Sequence, residues 1–364
     1  MPLDTPRVLL NMIVKNETAN LPRCLSAFFR EGLPPAIDGY LIADTGSADG
    51  TPDAIVGLFA ERGIFGRVIH VPFENFSQAR NAALDAARES DLPGEYLLFC
   101  DADMEFVYSA PLQPRLVAPA YFVMQRHAGS GGLEYPNVRI VRRDVPATYR
   151  GVTHEYLDIG NLDRPLLDGV SFADHASGAN RGDKFARDLR LLTGALKEDP
   201  DDSRSTFYLA NTYFDLGIYS EAIHLYERRI ALGGWKEERF IAQYRIALCH
   251  QRERRFDAFI ERMLRAFTIS ERAEPLYRLA MHHAAMGDWS ASYRFAERAL
   301  AVPKPAAALF VEGDVYDWRV LDALALAAYY IGRKDEAAGS YDRLLALVPA
   351  NERPRIEANR RWCD

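Results

Sequence analysis

Tyr96-Leu97-Leu98-Phe99-Cys100-Asp101-Ala102-Asp103-Met104-Glu105 runs an apolar stretch, long enough for one strand buried on both faces, straight into two carboxylates separated by one residue. Residues two apart in an extended chain point to the same side. Asp101 and Asp103 therefore converge beyond the strand end, where the ligands of open parallel sheets gather. Two unpaired carboxylates about 4 Å apart repel by roughly 1 kcal/mol in water and about 4 kcal/mol at an effective dielectric near 20, so the pair calls for positive charge. A hard divalent cation, Mg²⁺ or Mn²⁺, is one source and would bring a bound diphosphate with it. A polar strand-to-loop turn in which each Asp caps local backbone is the alternative.

Upstream, the same arrangement recurs. Val8 to Val14 is apolar and stops at Lys15-Asn16-Glu17; Tyr40-Leu41-Ile42-Ala43 stops at Asp44-Thr45-Gly46-Ser47-Ala48-Asp49-Gly50-Thr51; Gly66 to Val71 offers a third strand. Between them lie helix signals. Asn20 precedes Leu21-Pro22 and a stripe of Leu21, Leu25 and Phe28/Phe29, while Thr51 before Pro52 is placed to cap a helix running to about Arg62. Asn75-Phe76-Ser77 leads into a third helix with Arg80 in its first turns. Strands alternating with helices predict a parallel sheet flanked by helices, with functional groups at the carboxyl ends of the strands. These groups are Asn16, Glu17, Asp44, Arg80, Asp101 and Asp103. Each also has a local reading: a solvated turn at residues 15 to 17, helix caps at Asp44 and Asp49, and a surface position for Arg80.

Taken together, Met12-Ile13-Val14-Lys15-Asn16-Glu17, the Asp44 to Thr51 segment, Ala79-Arg80-Asn81-Ala82-Ala83-Leu84 and Asp101-Ala102-Asp103 resemble the family-two glycosyltransferases of the GT-A fold. The resemblance covers roughly the first half of the chain, with four motifs in order. It implies that Asn16, Glu17 and Asp44 hold the base and ribose of a nucleotide-sugar, that Arg80 approaches the diphosphate or sugar, and that Asp101 and Asp103 position the Mn²⁺ or Mg²⁺ cofactor.

Farther on, Ala120 to Met124 and Val138 to Val141 read as strands around Gly129-Ser130-Gly131-Gly132, taken as an antiparallel connection. Gly151-Val152-Thr153-His154-Glu155 resembles the acceptor-side motif of the same glycosyltransferases. The resemblance makes His154 a metal or diphosphate ligand and Glu155 the general base, the group an inverting transfer needs beside the acceptor hydroxyl. Strand alternation would turn the two side chains to opposite sides, so their sharing a cavity requires a bend. A hydrogen-bonded structural histidine is the alternative for His154. His175, after the apolar run ending at Phe172, is a further metal or phosphate candidate by the same resemblance, and Lys184, Arg187 and Arg190 follow on a helix.

From about Asp183 the pattern changes to helices without strands. Leu209-Ala210, Tyr213, Gly217, Tyr219, Ala222 and Tyr226 fall at tetratricopeptide spacings. The series from Leu279-Ala280 to Pro303 repeats them, a weaker unit starts at Ile246-Ala247, and a further one runs from Leu324 to Pro349. The expected fold is an α/β GT-A domain over residues 1–182 followed by an all-α tetratricopeptide-like repeat domain over residues 183–364. Such arrays bind a polypeptide, self-associate into a homo-oligomer, or simply buttress a neighbouring domain. An aromatic and acidic insertion near Pro303 to Trp318, carrying Glu312, Asp314, Tyr316 and Asp317, either contacts an acceptor or covers a groove.

The chain has 364 residues, 48% hydrophobic and 26% charged, and no apolar run approaches the roughly 18 residues that span a bilayer. Its net charge of −7 disfavours nucleic acid as a partner. The four cysteines are scattered and form no metal-like pair, and the first residues show no secretion signal, so cytoplasmic residence is expected. The expected function is a metal-dependent, inverting glycosyltransferase that moves a sugar from a nucleotide-sugar donor to an acceptor, with the repeats favouring a protein or peptide. A non-catalytic nucleotide-binding scaffold and a nucleotidyltransferase are the alternatives.

Overall fold

Strand β1, Val8–Val14, is buried at every position except the half-buried Ile13. It lies inside the sheet of a computed structural model that describes residues 5–127, 134–178, 184–305 and 308–364. The chain continues through α1 (Leu21–Ser26), β2 (Gly39–Asp44), α2 (Thr51–Ala60), β3 (Phe65–His70), α3 (Phe76–Glu89), β4 (Tyr96–Phe99) and β5 (Met104–Tyr108). It then forms β6 (Ala120–His127), β7 (Glu134–Arg142), β8 (Thr148–Arg150), β9 (Tyr156–Asp158) and β10 (Leu166–Asp174).

Eight strands form one sheet in the order β3-β2-β1-β4-β7-β6-β10-β5, and β8 pairs with β9 separately. Strands β1 to β4 are parallel to one another, as expected of βα units. Beyond β4 the sheet is mixed, not wholly parallel: β7 pairs antiparallel with β4 and β6, and β5 pairs antiparallel with β10. No crossover helix separates β4 from β5, so the chain reverses at the Asp101 turn and β5 joins the far edge of the sheet beside β10.

Alternation along β1 divides the core. Val8, Leu10 and Met12 pack with Leu21, Phe28 and Phe59 on the α1 and α2 side, whereas Leu9 joins Leu84, Leu97 and Phe99 on the α3 side. Fully burying each aromatic of this core stabilises the fold by roughly 1.5–3 kcal/mol. Buried Asn11 ties the layers together, its Nδ2 donating to the carbonyls of Leu41 (3.1 Å) and Ala83 (3.0 Å).

Two local expectations change. Helix α1 stops at Ser26, before Phe28 and Phe29. The N-cap of α2 is Gly50, at φ 82°, and Thr51 is already helical; the cap-like acceptor is Asp49, which takes the Thr51 amide (3.0 Å) and hydroxyl (2.6 Å). The expected Gly129 to Gly132 connection and the expected boundary at 182/183 lie outside the described residues. All four cysteines are free thiols.

The described residues pack as two compact units, one reaching Tyr208 and the other running from Leu209 to Asp364. The second is helical. Helix α4 (Lys184–Glu198) belongs to the first unit, and α5 (Ser203–Asp215) begins there and ends in the second. Helices α6 (Tyr219–Ala231), α7 (Lys236–Arg252), α8 (Phe256–Ile269), α9 (Ala273–Ala285) and α10 (Trp289–Leu300) follow, then α11 (Val320–Tyr330), α12 (Lys334–Leu344) and α13 (Arg353–Arg361). Antiparallel partners α7/α8, α9/α10 and α11/α12 pack on one another, and α6/α7 and α10/α11 join successive pairs.

Fully buried alanines, among them Ala247, Ala280, Ala296, Ala325 and Ala337, let the helices approach closely. Gly287 and Gly332 make their turns at φ 77° and 85°. The corresponding turn after α7 uses Arg254 at φ 60°, which is why that repeat reads weakly in the sequence. No helix of the described residues is long and apolar enough to cross a membrane.

Candidate functional site

The carboxyl ends of β1 and β4, the start of α3, the β8–β9 turn and the start of α4 enclose a cavity of about 330 Å³. That is the lower end of the roughly 300–1,000 Å³ typical of ligand pockets. Its described lining carries four cations, Lys15, Arg80, Lys184 and Arg187, and four carboxylates, Glu17, Asp101, Asp103 and Glu155. Thr45, Phe73 and Phe76 add a hydroxyl and two aromatic faces.

At its centre is a chain of ion pairs. Arg80 bridges Asp101 through Nη2 and Glu155 through Nε, the latter at 2.5 Å. Asp101 also accepts from Arg139 Nη2 at 3.0 Å, and the same nitrogen donates to Gln125 Oε1 at 3.0 Å. Burial alone would raise the Asp101 carboxyl, but Arg80 and then Arg139 outweigh it and hold the group well below the usual carboxylate range. Burial disfavours the Arg80 charge, and Asp101 and Glu155 more than restore it.

The positive charge called for by the Asp-X-Asp pair is therefore supplied, at Asp101, by two arginines of the chain. Arg139 had no assigned role in the sequence reading. Its signal was there, a lone arginine inside the apolar strand Val138-Arg139-Ile140-Val141.

Asp103 faces the same cavity, with one carboxylate oxygen accepting from the Gly178 amide at 3.1 Å. A Cβ on Gly178 would stand 3.2 Å from that oxygen and 3.5 Å from Glu17, so the backbone of residue 178 is a close wall of the site. Glu17 is buried, its carboxylate accepts from Asn20 Nδ2 at 2.7 Å, and its backbone amide donates to the Thr51 hydroxyl oxygen at 2.8 Å.

Asn16 and Asp44 are used differently and are absent from the described lining. The Asp44 carboxylate accepts from the amides of Gly46 (3.1 Å) and Ser47 (3.1 Å), a local turn and not the helix cap given as its alternative, since the N-cap of α2 is Gly50. Asn16, at φ 55°, donates its amide to Ser47 Oγ (2.9 Å) and accepts from Ala48 N–H (2.7 Å). Together they hold the loop that presents Thr45.

The bend required near His154 exists: Gly151 and His154 both take left-handed backbone, at φ 96° and 51°. It nevertheless separates the two side chains. Glu155 enters the cavity, while the His154 ring stacks on Tyr208 at 4.2 Å and lies 4.0 Å from Asp188. Burial, reinforced by Lys184, Arg204 and Arg187 against the pull of Asp188, lowers the imidazole to about 4, so it is neutral at pH 7. His175 pairs through Nε2 with Glu105 at 3.0 Å and is also outside the described lining.

Among the described residues no group of three or more His, Cys, Asp or Glu side chains is arranged to hold a metal ion. The donor set fits one kind of cation. Mg²⁺ and Mn²⁺ are commonly held by one or two carboxylates together with substrate phosphates, and Asp103 supplies such a carboxylate. Asp101 fits as the charge-balanced neighbour that fixes the turn.

Residues 11–145 match the family described as Glycosyl transferase family 2, and residues 320–355 match Tetratricopeptide repeat. The chain thus carries a family 2 glycosyl transferase domain in its mixed-sheet part, followed by an all-helical tetratricopeptide-repeat part. It is similar to a TPR repeat-containing protein of Synechococcus elongatus, 31% identical over 159 residues; the match covers 42% of this chain and 36% of that relative, about a third of its length. Solved structures similar to it include MamA (TM-score 0.37, 22% identity, 49% of this chain and 97% of that one). Another is the C-terminal part of a TPR repeat-containing protein from Cytophaga hutchinsonii (TM-score 0.40, 14% identity, 50% and 68%).

Proposed function

We propose that the first unit is a metal-dependent, inverting glycosyltransferase that moves a sugar from a nucleotide-sugar donor to an acceptor hydroxyl or amide, with a polypeptide the favoured acceptor. The observation that carries this reading is the convergence of Lys15, Arg80, Asp103, Glu155, Lys184 and Arg187 on one cavity at the strand ends.

The charges suit a diphosphate. Four cations and four carboxylates in the described lining cancel. A donor carrying about two negative charges would leave a deficit that one divalent cation offsets. Lys15, Lys184 and Arg187 would grip the phosphate oxygens, and Asp103 would hold the cation against them. When bound, the cation would stabilise charge on the departing nucleoside diphosphate.

Glu155 would take the acceptor proton, a reading supported by its position in the cavity lining. One of its oxygens is engaged by Arg80 Nε, which aims the group, and the other is the proton acceptor. Asn16 and Asp44 would contribute indirectly, by shaping the loop that carries Thr45, and Glu17 would approach the nucleoside. His154 and His175 would act at the rim, in positioning their segments.

The test is to incubate the purified chain with a panel of nucleotide-sugars and Mn²⁺ or Mg²⁺ and to identify the leaving product. Nucleoside diphosphate release that Asp103→Ala abolishes is the expected result. Pyrophosphate release would point instead to nucleotidyl transfer, and nucleotide binding without turnover to a scaffold. If no donor binds or breaks down and Asp103→Ala changes no ligand affinity, the reading fails.

A further inference from the structure

The insertion between α10 and α11 is gripped by helices of the second unit through its backbone. The Leu309 amide donates to Glu237 Oε2 (3.3 Å), and its carbonyl accepts from Arg272 Nη1 (2.8 Å). The Phe310 carbonyl accepts from Arg272 Nη2 (3.2 Å), and the Glu312 amide donates to Glu274 Oε1 (3.3 Å). Glu237 and Glu274 occupy the second positions of α7 and α9, so equivalent sites of successive repeats read the same strand of chain.

Two side chains of the segment sit in defined places. The Glu312 carboxylate is clamped on both oxygens, by the Tyr244 hydroxyl at 2.7 Å and by Arg278 Nη2 at 2.7 Å. The Phe310 ring lies 5.4 Å from the Arg245 guanidinium, which is also 5.2 Å from the Phe214 ring. Backbone capture gives affinity for a peptide that adopts this turn, and the aromatic and carboxylate sites give selectivity.

Three features distinguish this from ordinary loop packing. Arg272 is paired with Glu237 (3.2 Å) and Glu274 (2.5 Å) and stands over the Phe240 ring at 4.3 Å, so it stays compensated when the segment leaves, whereas Arg278 gives up the Glu312 carboxylate and favours a replacement acid. The occupant is strained: Phe310 adopts φ 51°, a left-handed backbone unfavourable for an aromatic residue. It is joined to α10 through Val302-Pro303-Lys304-Pro305, a stretch whose prolines disfavour helix and suit a tether.

We propose that the α7–α9 face is a recognition groove for a turn-forming peptide of a partner protein, bearing an aromatic residue followed two positions later by a glutamate. The chain's own Leu309–Glu312 fills this groove until such a partner displaces it. A tethered occupant competes at an effective concentration of roughly millimolar. Releasing it therefore unmasks the groove.

The probe is a fluorescein-labelled peptide, Ala-Leu-Phe-Val-Glu-Gly-Asp, titrated against the full chain by anisotropy. Phe310→Ala combined with Glu312→Gln weakens the internal occupant and is expected to bind the probe at least tenfold more tightly than the wild type. Adding Arg278→Met to that variant, or replacing the probe's Phe by Ala, is expected to abolish binding. Equal affinity for the wild type and the released variant, or no saturable binding by a released variant that keeps its thermal transition, overturns the proposal. If the released variant does not fold, hydrogen exchange on the wild type decides. Several millimolar unlabelled peptide is expected to lower amide protection at Leu309 and Glu312, and unchanged protection overturns the proposal.

Discussion

Arg139→Met isolates the charge balance at the Asp101 turn. Arg139 is 7% exposed and stands 3.0 Å from Asp101, so the pair's Coulomb attraction is about 5 kcal/mol at an effective dielectric near 20. The substitution also removes the cost of burying the guanidinium, and Asp101 keeps Arg80. Both effects bring the expected destabilisation of the first unit to about 2–3 kcal/mol, below the roughly 3–5 kcal/mol for stranding a buried charge.

The four tryptophans, Trp235, Trp289, Trp318 and Trp362, all lie in the second unit, so their fluorescence reports that unit alone, whereas far-UV circular dichroism reports both. In urea, the dichroism transition of the variant is expected to gain an earlier phase, displaced by about 1 M for a slope of roughly 2–3 kcal/mol/M. The fluorescence midpoint is expected to stay put. A double-mutant cycle with Asp101→Asn is expected to give a coupling above 1 kcal/mol at about this separation. A coupling below about 0.5 kcal/mol, or a variant whose early phase is absent, would refute the assignment of Arg139 as the counter-charge of Asp101.

Glu155→Gln keeps an oxygen for Arg80 but no proton acceptor, so transfer is expected to fall by about 10²–10⁴-fold with donor affinity within a few-fold; near-normal turnover eliminates the base assignment. Because Asp101 has a depressed pKa in the folded state, its contribution is fully present above the unfolded carboxyl value near 3.9 and is lost as pH falls toward the folded one. The stability gap between wild type and Asp101→Asn is accordingly expected to be flat from pH 7 to about 5 and to narrow below about 4, and a gap that instead widens in acid contradicts the ion-pair account. Gly66→Ala sets a Cβ 2.2 Å from the Tyr40 carbonyl oxygen, a backbone atom that has little room to retreat, so a loss of about 1–3 kcal/mol in the first unit is expected by thermal denaturation.

The parallel half of the sheet was legible because β1, β2 and β4 are buried on both faces and so read as continuous apolar runs ended by polar residues. The helical pairs were legible because close packing demands small residues at a fixed period. Strand β5 was not, since Met104–Tyr108 alternates buried and exposed positions immediately after the Asp-X-Asp turn and carries no run of its own. Within the site, Arg80, Asp101, Asp103 and Glu155 line one cavity, because strand ends and an early helix turn are where a parallel sheet gathers side chains. His154 and Glu155 part company for a reason adjacency conceals: two left-handed residues in five redirect the chain, and whether an ordinary residue takes that conformation is settled by tertiary contacts. The same holds for Arg139, whose partner is 38 residues away.

Strands β4 and β5 are joined by only Cys100 to Asp103, yet three strands stand between them in the sheet order. In a flat sheet those four spacings would be about 19 Å, whereas the five residue steps from Phe99 to Met104 reach at most about 18 Å when fully stretched. They are not stretched, since the Met104 amide turns back onto the Asp101 carbonyl at 3.0 Å. The sheet must therefore curl, helped by the register shifts at Tyr121/Phe122 and between Leu166 and Ser171, so that Asp101 and Asp103 ride on a chord drawn across an arc. Asp101 is held beside the β1 end by the β1–β4 pairing, so the curvature of β6, β7 and β10 acts on the Asp103 end of the chord, and substitutions in those strands, remote from either carboxylate, are expected to shift Asp103 across the cavity.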